Sequence, residues 1–324
     1  MNTFGILFKI SIFGESHGAV VGITIDNCPA GIPLYPELFL PDLTRRKSGR
    51  KGSTPRIEDD TPEIISGVFN GYSTGAPITI VFENGNTISK DYSNLKDTPR
   101  PSHADFTAKV KFNGYNDYRG GGHFSGRLTL PLVAAGVIAK AICKNITINA
   151  ELIEAGGLSD IESAIEQAIR DEDSIGGIVQ CRVNGITAGL GEPFFDSVES
   201  LISHMVFAIP AIKGIQFGSG FEAAKSTGIR NNDVFIDESG KTASNNEGGI
   251  NGGITNGNEL IFKVAVKPTS SVSKPQRTFN MANSQSEVLE IKGRHDVCIA
   301  LRVPVVVEAV TAIVLADLIL RNHE

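Results

Sequence analysis

The chain has 324 residues, of which 41% are hydrophobic, so it is long enough to bury a large core. Its 30 basic and 36 acidic residues give a net charge of −6, which provides no general attraction to nucleic acid or to an anionic membrane. The four cysteines are scattered without a C-x-x-C pair, which predicts neither a zinc site nor a disulfide framework. With no signal peptide in view, a cytoplasmic location is expected.

Alternating apolar residues predict antiparallel strands. Residues 4–12 form one half-buried strand in this pattern, and the β-branched run 20–25 is its partner. Residues 64–69 and 78–82 flank a glycine-rich turn and predict a second hairpin. Leu260–Val266 predicts a strand near the C-terminal end, with Lys267 at its rim.

Two further patterns predict helices of different kinds. Residues 128–142 are apolar nearly all round, and the apolar stretch 303–320 is interrupted by two carboxylates, so both predict buried helices rather than membrane spans. Capping boxes predict two amphipathic helices, one starting at Ser159 with Glu162 and one at Asp196 with Glu199. The pattern indicates an α+β protein with helices inside and antiparallel sheets outside.

Residues 14–18 read Gly-Glu-Ser-His-Gly and follow the first predicted strand. Glycine lets the backbone turn sharply and approach a ligand closely, although a plain turn with a surface histidine is the simpler interpretation. The pattern also fits G-x-S-x-G, the nucleophile elbow of α/β-hydrolases, in which Ser16 would be acylated. An elbow needs a helix directly after its serine, whereas residues 19–25 are strand-like, so a serine hydrolase is the weaker alternative.

A basic segment without any acidic residue lies between positions 45 and 56. Its six cations are Arg45, Arg46, Lys47, Arg50, Lys51 and Arg56. A charge run is often solvated surface, and the lack of an aromatic residue disfavours a nucleic-acid patch. Guanidinium groups bind carboxylate and phosphate bidentately, so the segment favours a site for a small polyanion.

Eight ordered blocks along the chain resemble the chorismate synthase family. They read GESHG (14–18), DLTRRKSGRKGSTPR (42–56), RPSHADF (100–106), DYRGGGHFSGRLT (117–129), IPAIKGIQFGSGFEAA (209–224), NNEGGINGGITNG (245–257), KPTSS (267–271) and GRHDVCIALRVPVVVEA (293–309). The resemblance covers residues 1–324 as one domain. It implies an α+β fold in which a helical layer lies between two antiparallel β-sheets.

The resemblance also implies a reaction and its cofactor. The reaction is the anti-1,4-elimination of phosphate from 5-enolpyruvylshikimate 3-phosphate to give chorismate, the last common step of aromatic amino-acid biosynthesis. It requires reduced FMN. Some members reduce their own FMN with NADPH, whereas others rely on a separate flavin reductase or an anaerobic donor, and no motif here separates these cases. The family pattern further implies a homotetramer, with neither nucleic acid nor a membrane as partner.

The resemblance of the same blocks also implies the residues of the active site, and none of them is expected to bind a metal. The implied catalytic residues are His17 as proton donor to the leaving phosphate, His103 beside the reduced flavin, and Asp296 in removal of the ring proton. The implied substrate-binding residues are Ser16, Arg45, Arg46, Lys51, Arg100, Arg127 and Arg294. The implied FMN contacts are Ser125, Pro210, Ala211, Gly252, Lys267, Pro268, Thr269, Ser270, Ser271 and Arg294. One block departs from the family pattern: where many members read GGRSSARET, this chain reads GGHFSGRLT, so two usual polar flavin contacts become His123 and Phe124.

Overall fold

The computed structural model describes residues 1–54, 58–85, 95–291 and 295–322. Its helices are α1 (Leu40–Arg46), α2 (Asp105–Lys111), α3 (Thr129–Ile142), α4 (Ile161–Arg170), α5 (Val198–Phe207), α6 (Gly228–Asn231) and α7 (Val303–Arg321). Its strands are β1 (Thr3–Phe4), β2 (Lys9–Gly14), β3 (Val20–Asp26), β4 (Glu63–Ser66), β5 (Val68–Phe69), β6 (Tyr72–Ser73), β7 (Ile78–Glu83), β8 (Thr147–Ala155), β9 (Gly177–Asn184), β10 (Ile212–Phe217), β11 (Ile250–Asn251), β12 (Ile254–Thr255), β13 (Leu260–Val266), β14 (Gln276–Asn280) and β15 (Gln285–Leu289).

Helices α3 and α7 form the inner layer and pack along each other. Gly136 in α3 makes this close approach possible, because a Cβ atom there would lie 2.5 Å from the Cα atom of Ala309 in α7. On one side α3 packs against β2, β3 and β7, and on the other side α7 packs against β8 and β9. The predicted helical layer between two sheets is therefore confirmed.

Both main sheets are antiparallel. The first has the strand order β1-β2-β3-β7-β4 and the second β10-β13-β9-β8. In β13 every second residue from Leu260 to Val266 is buried, as its alternation predicts. One continuous cluster of buried side chains reaches from Phe8 beside the first sheet to Val264 in the second, which supports our inference of one domain over residues 1–324.

The two most apolar helical stretches lie inside this core. Arg119–Ile142 and Ile299–Arg321 are long and apolar enough to cross a membrane by length and composition, yet 72% and 83% of their apolar windows are buried within the fold. They occupy the position of core helices, as predicted.

The prediction of one continuous strand over residues 4–12 is wrong. The chain reverses at Gly5, which has a φ of 93°, so β1 folds back and pairs with β2. The carboxylate Oδ1 of Asp317 in α7 accepts hydrogen bonds from the backbone N–H groups of residues 6–8 at 2.7 to 3.0 Å. This long-range contact satisfies the backbone donors of the reversal.

The two amphipathic helices form, but each N-cap is one residue later than predicted. The caps are Asp160 for α4 and Ser197 for α5, and each side chain accepts from the backbone N–H three residues further on at 3.1 Å. Asp196 pairs instead with Arg321 at 2.9 Å, joining the start of α5 to the end of α7.

Candidate active site

The turn at residues 14–18 connects β2 directly to β3. Gly14 has a φ of 97°, and a Cβ atom there would lie 2.8 Å from the Cα atom of Val21, so glycine is required. The N–H of Gly18 donates to the carbonyl of Glu15 at 3.0 Å and closes the turn. Because a strand and not a helix follows, the geometry of a hydrolase nucleophile elbow is absent from this turn.

A triple-glycine segment packs against that turn. Gly120, Gly121 and Gly122 all have positive φ angles, and the carbonyl of Gly122 accepts from the N–H of Ser16 at 3.1 Å. A Cβ atom on Gly120 would lie 2.6 Å from Nε2 of His17, so the imidazole fits only against a glycine. The segment thus provides a backbone surface on which the His17 ring rests.

His103 lies against the next glycine of the same segment. A Cβ atom on Gly121 would be 3.6 Å from Nε2 of His103, an ordinary contact distance. Since consecutive Cα atoms are about 3.8 Å apart, the triple glycine brings the two predicted catalytic imidazoles to neighbouring positions. Sequence spacing alone gave no indication of this proximity.

Asp105 fixes the orientation of His103. Its Oδ1 atom lies 2.7 Å from Nδ1 of His103 and 2.8 Å from a guanidinium nitrogen of Arg100, so Nδ1 carries the proton and donates to the carboxylate. This leaves Nε2 of His103 on the side of the glycines. Although burial alone would raise the pKa of Asp105, its hydrogen bonds from Arg100 and His103 hold it well below the ordinary value.

A cavity of about 720 Å³ opens beside these histidines. Its walls come from the N-terminal segment, the triple-glycine region, the end of α5 and the segment after β13. They include His103, Gly120, His123, Phe124, Ser125, Pro210, Ala211, Lys213, Lys267, Pro268, Thr269, Ser270 and Ser271. Eight of the ten predicted FMN contacts therefore line one cavity.

The chemistry of the cavity wall suits a phosphate-bearing flavin. Among its described lining residues none carries a carboxylate, whereas two lysines and three histidines are present. Burial lowers the pKa of Lys267, and the nearby charge of Lys213 lowers it further. The hydroxyl of Thr269 is buried without a hydrogen-bond partner among the described residues. Two close cations and an unsatisfied hydroxyl favour binding of an anion, and the volume is that of a small-ligand site.

Backbone strain marks the same walls. Ala211 has a φ of 74° and Ser102 a φ of 57°, the left-handed region that residues other than glycine rarely adopt. Lys267 donates to the carbonyls of both residues. Its side-chain Nζ donates to the carbonyl of Ser102 at 2.5 Å, and its backbone N–H donates to the carbonyl of Ala211 at 2.9 Å. Lys267 therefore holds both strained residues in place.

Deeper in the protein, three charged side chains form a buried row. Arg46 donates to Asp60 at 3.3 Å, and Arg127 pairs with the other carboxylate oxygen of Asp60. Arg46 also reaches the hydroxyl of Thr129, a residue of the cavity wall, at 3.4 Å. The row therefore borders the cavity at its Arg46 end.

Two polar atoms close to this region lack partners among the described residues. They are Nε of Arg46 and Oγ of Ser16, in side chains that are 3% and 1% exposed. A buried unsatisfied donor costs roughly 1 to 3 kcal/mol, and more when it is charged. An ordered water or a bound ligand would satisfy them.

Asp296 is bound by a backbone N–H of the basic segment and by Arg302. Its two oxygens accept from the backbone N–H of Thr54 at 3.0 Å and from Arg302 at 3.4 Å. Arg302 in turn donates to the carbonyl of Arg46 at 3.0 Å. Asp296 is thus linked to the buried arginine row, although it is not among the cavity-lining residues.

Several predicted site residues lie elsewhere. Arg45 forms a bidentate ion pair with the buried Glu308 in α7, and the exposed Lys51 pairs with Glu166, so each cation is engaged by a carboxylate and neither lines the cavity. Gly252 lies in the tight β11–β12 hairpin, outside the cavity. Arg294 lies outside the described residues.

Arg100 and Arg127 are largely occupied by protein acceptors. Arg100 is engaged by Asp105 and by the hydroxyl of Ser271, at 2.8 to 3.0 Å. Arg127 donates from Nε to Asn84 at 2.9 Å, from one terminal nitrogen to Asp60 and from the other to the carbonyl of Glu83 at 3.0 Å. Both arginines therefore order the site. Among the predicted substrate-binding cations in the described residues, Arg46 is the one with a buried nitrogen that lacks a hydrogen-bond partner.

Sequence reasoning missed four residues of this framework. They are Asp60, Asn84, Asp105 and Arg302, each of which binds a predicted site residue. Asp105 lies within the RPSHADF block and Arg302 within the GRHDVCIALRVPVVVEA block, so both had a local signal. Asp60 and Asn84 lie outside the eight blocks and bind partners 14 and 43 residues away in the sequence.

The departure at His123 and Phe124 has a clear structural outcome. Nδ1 of His123 lies 2.7 Å from the carbonyl of Gly14, and its Nε2 lies 3.2 Å from the side chain of Asn2. Phe124 packs against Phe112 with ring centroids 6.3 Å apart. His123 thus ties the N-terminal segment to the turn at residues 14–18, and Phe124 gives the cavity an apolar rim.

Comparison with known proteins places the chain in a family. A family model described as chorismate synthase matches residues 8–320. A chorismate synthase of Chitinophaga pinensis is 63% identical over 99% of this chain and 97% of its own length. One from Thermococcus gammatolerans is 42% identical, covering 98% of this chain and 97% of that protein. A crystal structure of chorismate synthase matches 98% of this chain and 93% of its own with a TM-score of 0.75 at 24% identity, which supports the fold.

These findings define the chain as an enzyme, a lyase of the shikimate pathway. The chain belongs to the chorismate synthase family. The alternative of a serine hydrolase is not supported by any of these relatives or by the turn around Ser16.

Proposed function

We propose that this site converts 5-enolpyruvylshikimate 3-phosphate into chorismate and inorganic phosphate, with reduced FMN in the 720 Å³ cavity. The observation that carries the proposal has two parts. The described residues of the cavity wall include lysines but no carboxylate, and the buried Nε of Arg46 and Oγ of Ser16 lack partners among the described residues. In the reaction the C–O bond to phosphate breaks, a ring C–H bond breaks in a 1,4 relationship to it, and a new double bond forms. The reaction is therefore redox-neutral overall.

The substrate carries a phosphate and two carboxylates, so its binding site must supply positive charge. Arg46 offers a free buried donor, and Ser16 offers a hydroxyl beside the His17 ring. Charge-assisted hydrogen bonds of this kind contribute about 1.5 to 3 kcal/mol each. We place the leaving phosphate at these groups, with Arg294 as a further proposed contact outside the described residues.

His17 is the proposed acid for the leaving phosphate. An imidazole titrates near neutral pH and can deliver a proton without carrying a permanent charge. The ring is buried on Gly120 beside Ser16, so it is fixed and shielded from bulk water. These features support proton donation at the site where phosphate departs.

His103 is proposed to face the cofactor, as the sequence indicates. The cavity residues Lys267, Thr269 and Ser271 would hold reduced FMN, which would supply transient electron donation toward the breaking C–O bond. His103 holds a proton on Nδ1 against Asp105, so its Nε2 would accept a proton from a bound flavin while the ring is neutral and would donate one when the ring is protonated. Asp296, held by Arg302, remains the proposed carboxylate for removal of the ring proton.

The flavin phosphate is assigned to the end of the cavity after β13. Lys267 keeps one ammonium hydrogen beyond its bonds to Ser102 and Ser270, which line the same end of the cavity. Ser271 accepts from Arg100 and keeps its hydroxyl hydrogen, and the hydroxyl of Thr269, without a partner among the described residues, adds another donor. Ser125, Pro210 and Ala211 line the rest of the cavity, where small side chains leave room for the ring system. Gly252 lies away from the cavity within this chain and has no assigned contact here.

A homotetramer in the cytoplasm is the proposed state of the enzyme. Several large apolar side chains between residues 194 and 236 are highly exposed, which is typical of an interface. They include Phe194, Phe195, Phe221, Ile229 and Phe235. The four cysteines are free and buried, which suits a reducing compartment. Light scattering on the purified protein measures the subunit number.

An anaerobic assay of phosphate release tests the proposed reaction. The expected result is chorismate formation from 5-enolpyruvylshikimate 3-phosphate with dithionite-reduced FMN, and none with oxidised FMN or without flavin. Equal turnover in all three conditions would disprove the mechanism. A fourth arm with NADPH and oxidised FMN shows whether this chain reduces its own flavin or depends on a separate reductase.

A further inference from the structure

Asn84 lies between the turn at residues 14–18 and the buried row of Arg46, Asp60 and Arg127, which we call the arginine row. Its side-chain nitrogen Nδ2 donates to the carbonyls of Glu15 at 3.0 Å and Gly18 at 2.8 Å, the first and last residues of the closed turn. Its Oδ1 accepts from Nε of Arg127 at 2.9 Å. Two carbonyls on one side and a guanidinium on the other permit a single orientation of the amide.

The backbone of Asn84 reinforces this position. Its N–H donates to the carbonyl of Ala19 at 3.1 Å, at the point where the turn enters β3. Arg127 in turn is fixed by Asp60 and by the carbonyl of Glu83. A continuous chain of hydrogen bonds therefore runs from the turn that carries His17 through Asn84 and Arg127 to Asp60, and from there to Arg46.

We propose that Asn84 is a positioning residue that holds the His17 turn in register with the arginine row. The inference rests on the proposed role of His17. A general acid must lie within hydrogen-bond reach of the atom it protonates, and a displacement of about 1 Å can lower the rate about a hundredfold. Asn84 sets that placement because both ends of the turn are bound to its one amide nitrogen.

The variant Asn84→Asp separates the two sides of this contact. The new carboxylate still accepts from Arg127, but it presents an oxygen where the turn carbonyls require a donor. We expect kcat in the anaerobic assay to fall by about ten- to a hundredfold, while KM for the substrate changes by less than about threefold because Arg46 keeps its partners. The control is Asn70→Asp, at the exposed tip of the β5–β6 hairpin, which should retain wild-type kcat.

Nuclear magnetic resonance of the histidine side chains gives a readout that does not depend on turnover. In Asn84→Asp the His17 signal, assigned by its loss in His17→Ala, should shift, while the His103 signal should stay, because Asp105 holds it independently. The proposal requires both the shift and the loss of kcat. A shift without loss of kcat, a loss without a shift, or neither would overturn it.

The same set of measurements distinguishes a failure of the Asn84 proposal from a failure of the proposed role of His17 as the acid. Unchanged kcat in His17→Ala would refute the acid, whereas the position of the turn in Asn84→Asp is still read from the signal in the resting enzyme. If Asn84→Asp does not fold, Asn84→Ser replaces it. Serine removes the donor pair without adding charge, and the same shift and the same loss of kcat are required.

Discussion

Arg46 and Asp60 form an ion pair at 3.3 Å in which both side chains are 3% exposed. Asp60 also neutralises Arg127, so two cations share one carboxylate and the row keeps one uncompensated positive charge. Burial lowers the pKa of Arg46 to about 9, with repulsion from Arg302 and Arg127 adding to it and Asp60 opposing it. A buried cation in this state is stabilised by an anionic ligand, which is the role we assign to the substrate.

Substitution of Arg46 should weaken substrate binding. Arg46→Lys keeps the charge but lacks the planar fork, so it cannot contact Asp60, Thr129 and a ligand together. We expect the substrate affinity, measured by calorimetry, to fall about ten- to a hundredfold. Lys51→Ala, which removes an exposed cation of the same segment, should leave affinity unchanged. Equal losses in both variants would contradict the assignment of Arg46.

Arg45 and Arg46 are adjacent in the sequence but have different partners, which the sequence pattern could not predict. Successive residues of a helix point about 100° apart, so in α1 one guanidinium faces Glu308 and the other faces Asp60. The segment pattern predicted a group of cations for an anion, but not which member is buried beside the site. That choice depends on α7 and on residue 60, which the local pattern does not contain.

The fold followed the sequence where local patterns were sufficient. The alternation in β13 predicted a strand with alternate residues buried, and the all-round apolarity of α3 predicted a helix buried on every face. Both predictions agree with the burial of these elements in the fold. The first strand was misjudged because Asp317, 310 residues away from Leu7, stabilises a chain reversal at Gly5. Such a long-range hydrogen bond produces no periodic pattern in the local sequence.

The buried carboxylate of Asp60 should make stability depend on pH. Burial would raise its pKa, but Arg46 and Arg127 together lower it below the ordinary value, so its charged form stabilises the fold. This stabilisation is present above about pH 4, the ordinary value for an aspartate, and is lost as pH falls through the lower folded pKa. The unfolding free energies of wild type and Asp60→Asn should differ at pH 7 and converge below pH 4.

Denaturant unfolding at several pH values measures this convergence. The neighbouring Asp59 is exposed, so Asp59→Asn is the matched control and should follow the wild-type curve. A difference between wild type and Asp60→Asn that stays constant from pH 7 to pH 3 would show that the charge of Asp60 does not stabilise the fold.

His103 and Asp105 should act as one unit. Asp105→Asn removes the carboxylate that keeps the proton on Nδ1, so we expect kcat to fall by about ten- to a hundredfold. In the double variant with His103→Ala, the second change should add little further loss, because its effect passes through the missing imidazole. Full additivity of the two losses would indicate that Asp105 supports the site by another route, such as Arg100.

His17→Ala tests the acid directly. Without a proton donor at the leaving phosphate, we expect kcat to fall by about 10² to 10⁴ while FMN affinity, followed by fluorescence, stays at the wild-type value. A rise in KM at unchanged kcat would mean that His17 binds the substrate rather than protonating it.

The triple glycine gives the sharpest test of the site geometry. In Gly120→Ala the new methyl carbon would lie 2.6 Å from Nε2 of His17 and 2.9 Å from Oγ of Ser16, so the imidazole must move. In Gly71→Ala the methyl group meets nothing within 4 Å, although both positions have positive φ angles of 59° and 77°. The two variants therefore share a backbone penalty of about 1 kcal/mol, but Gly120→Ala alone should lower kcat, by about a hundredfold. Equal activity in the two variants, with thermal unfolding showing similar losses of stability, would mean that contact with Gly120 does not set the position of His17.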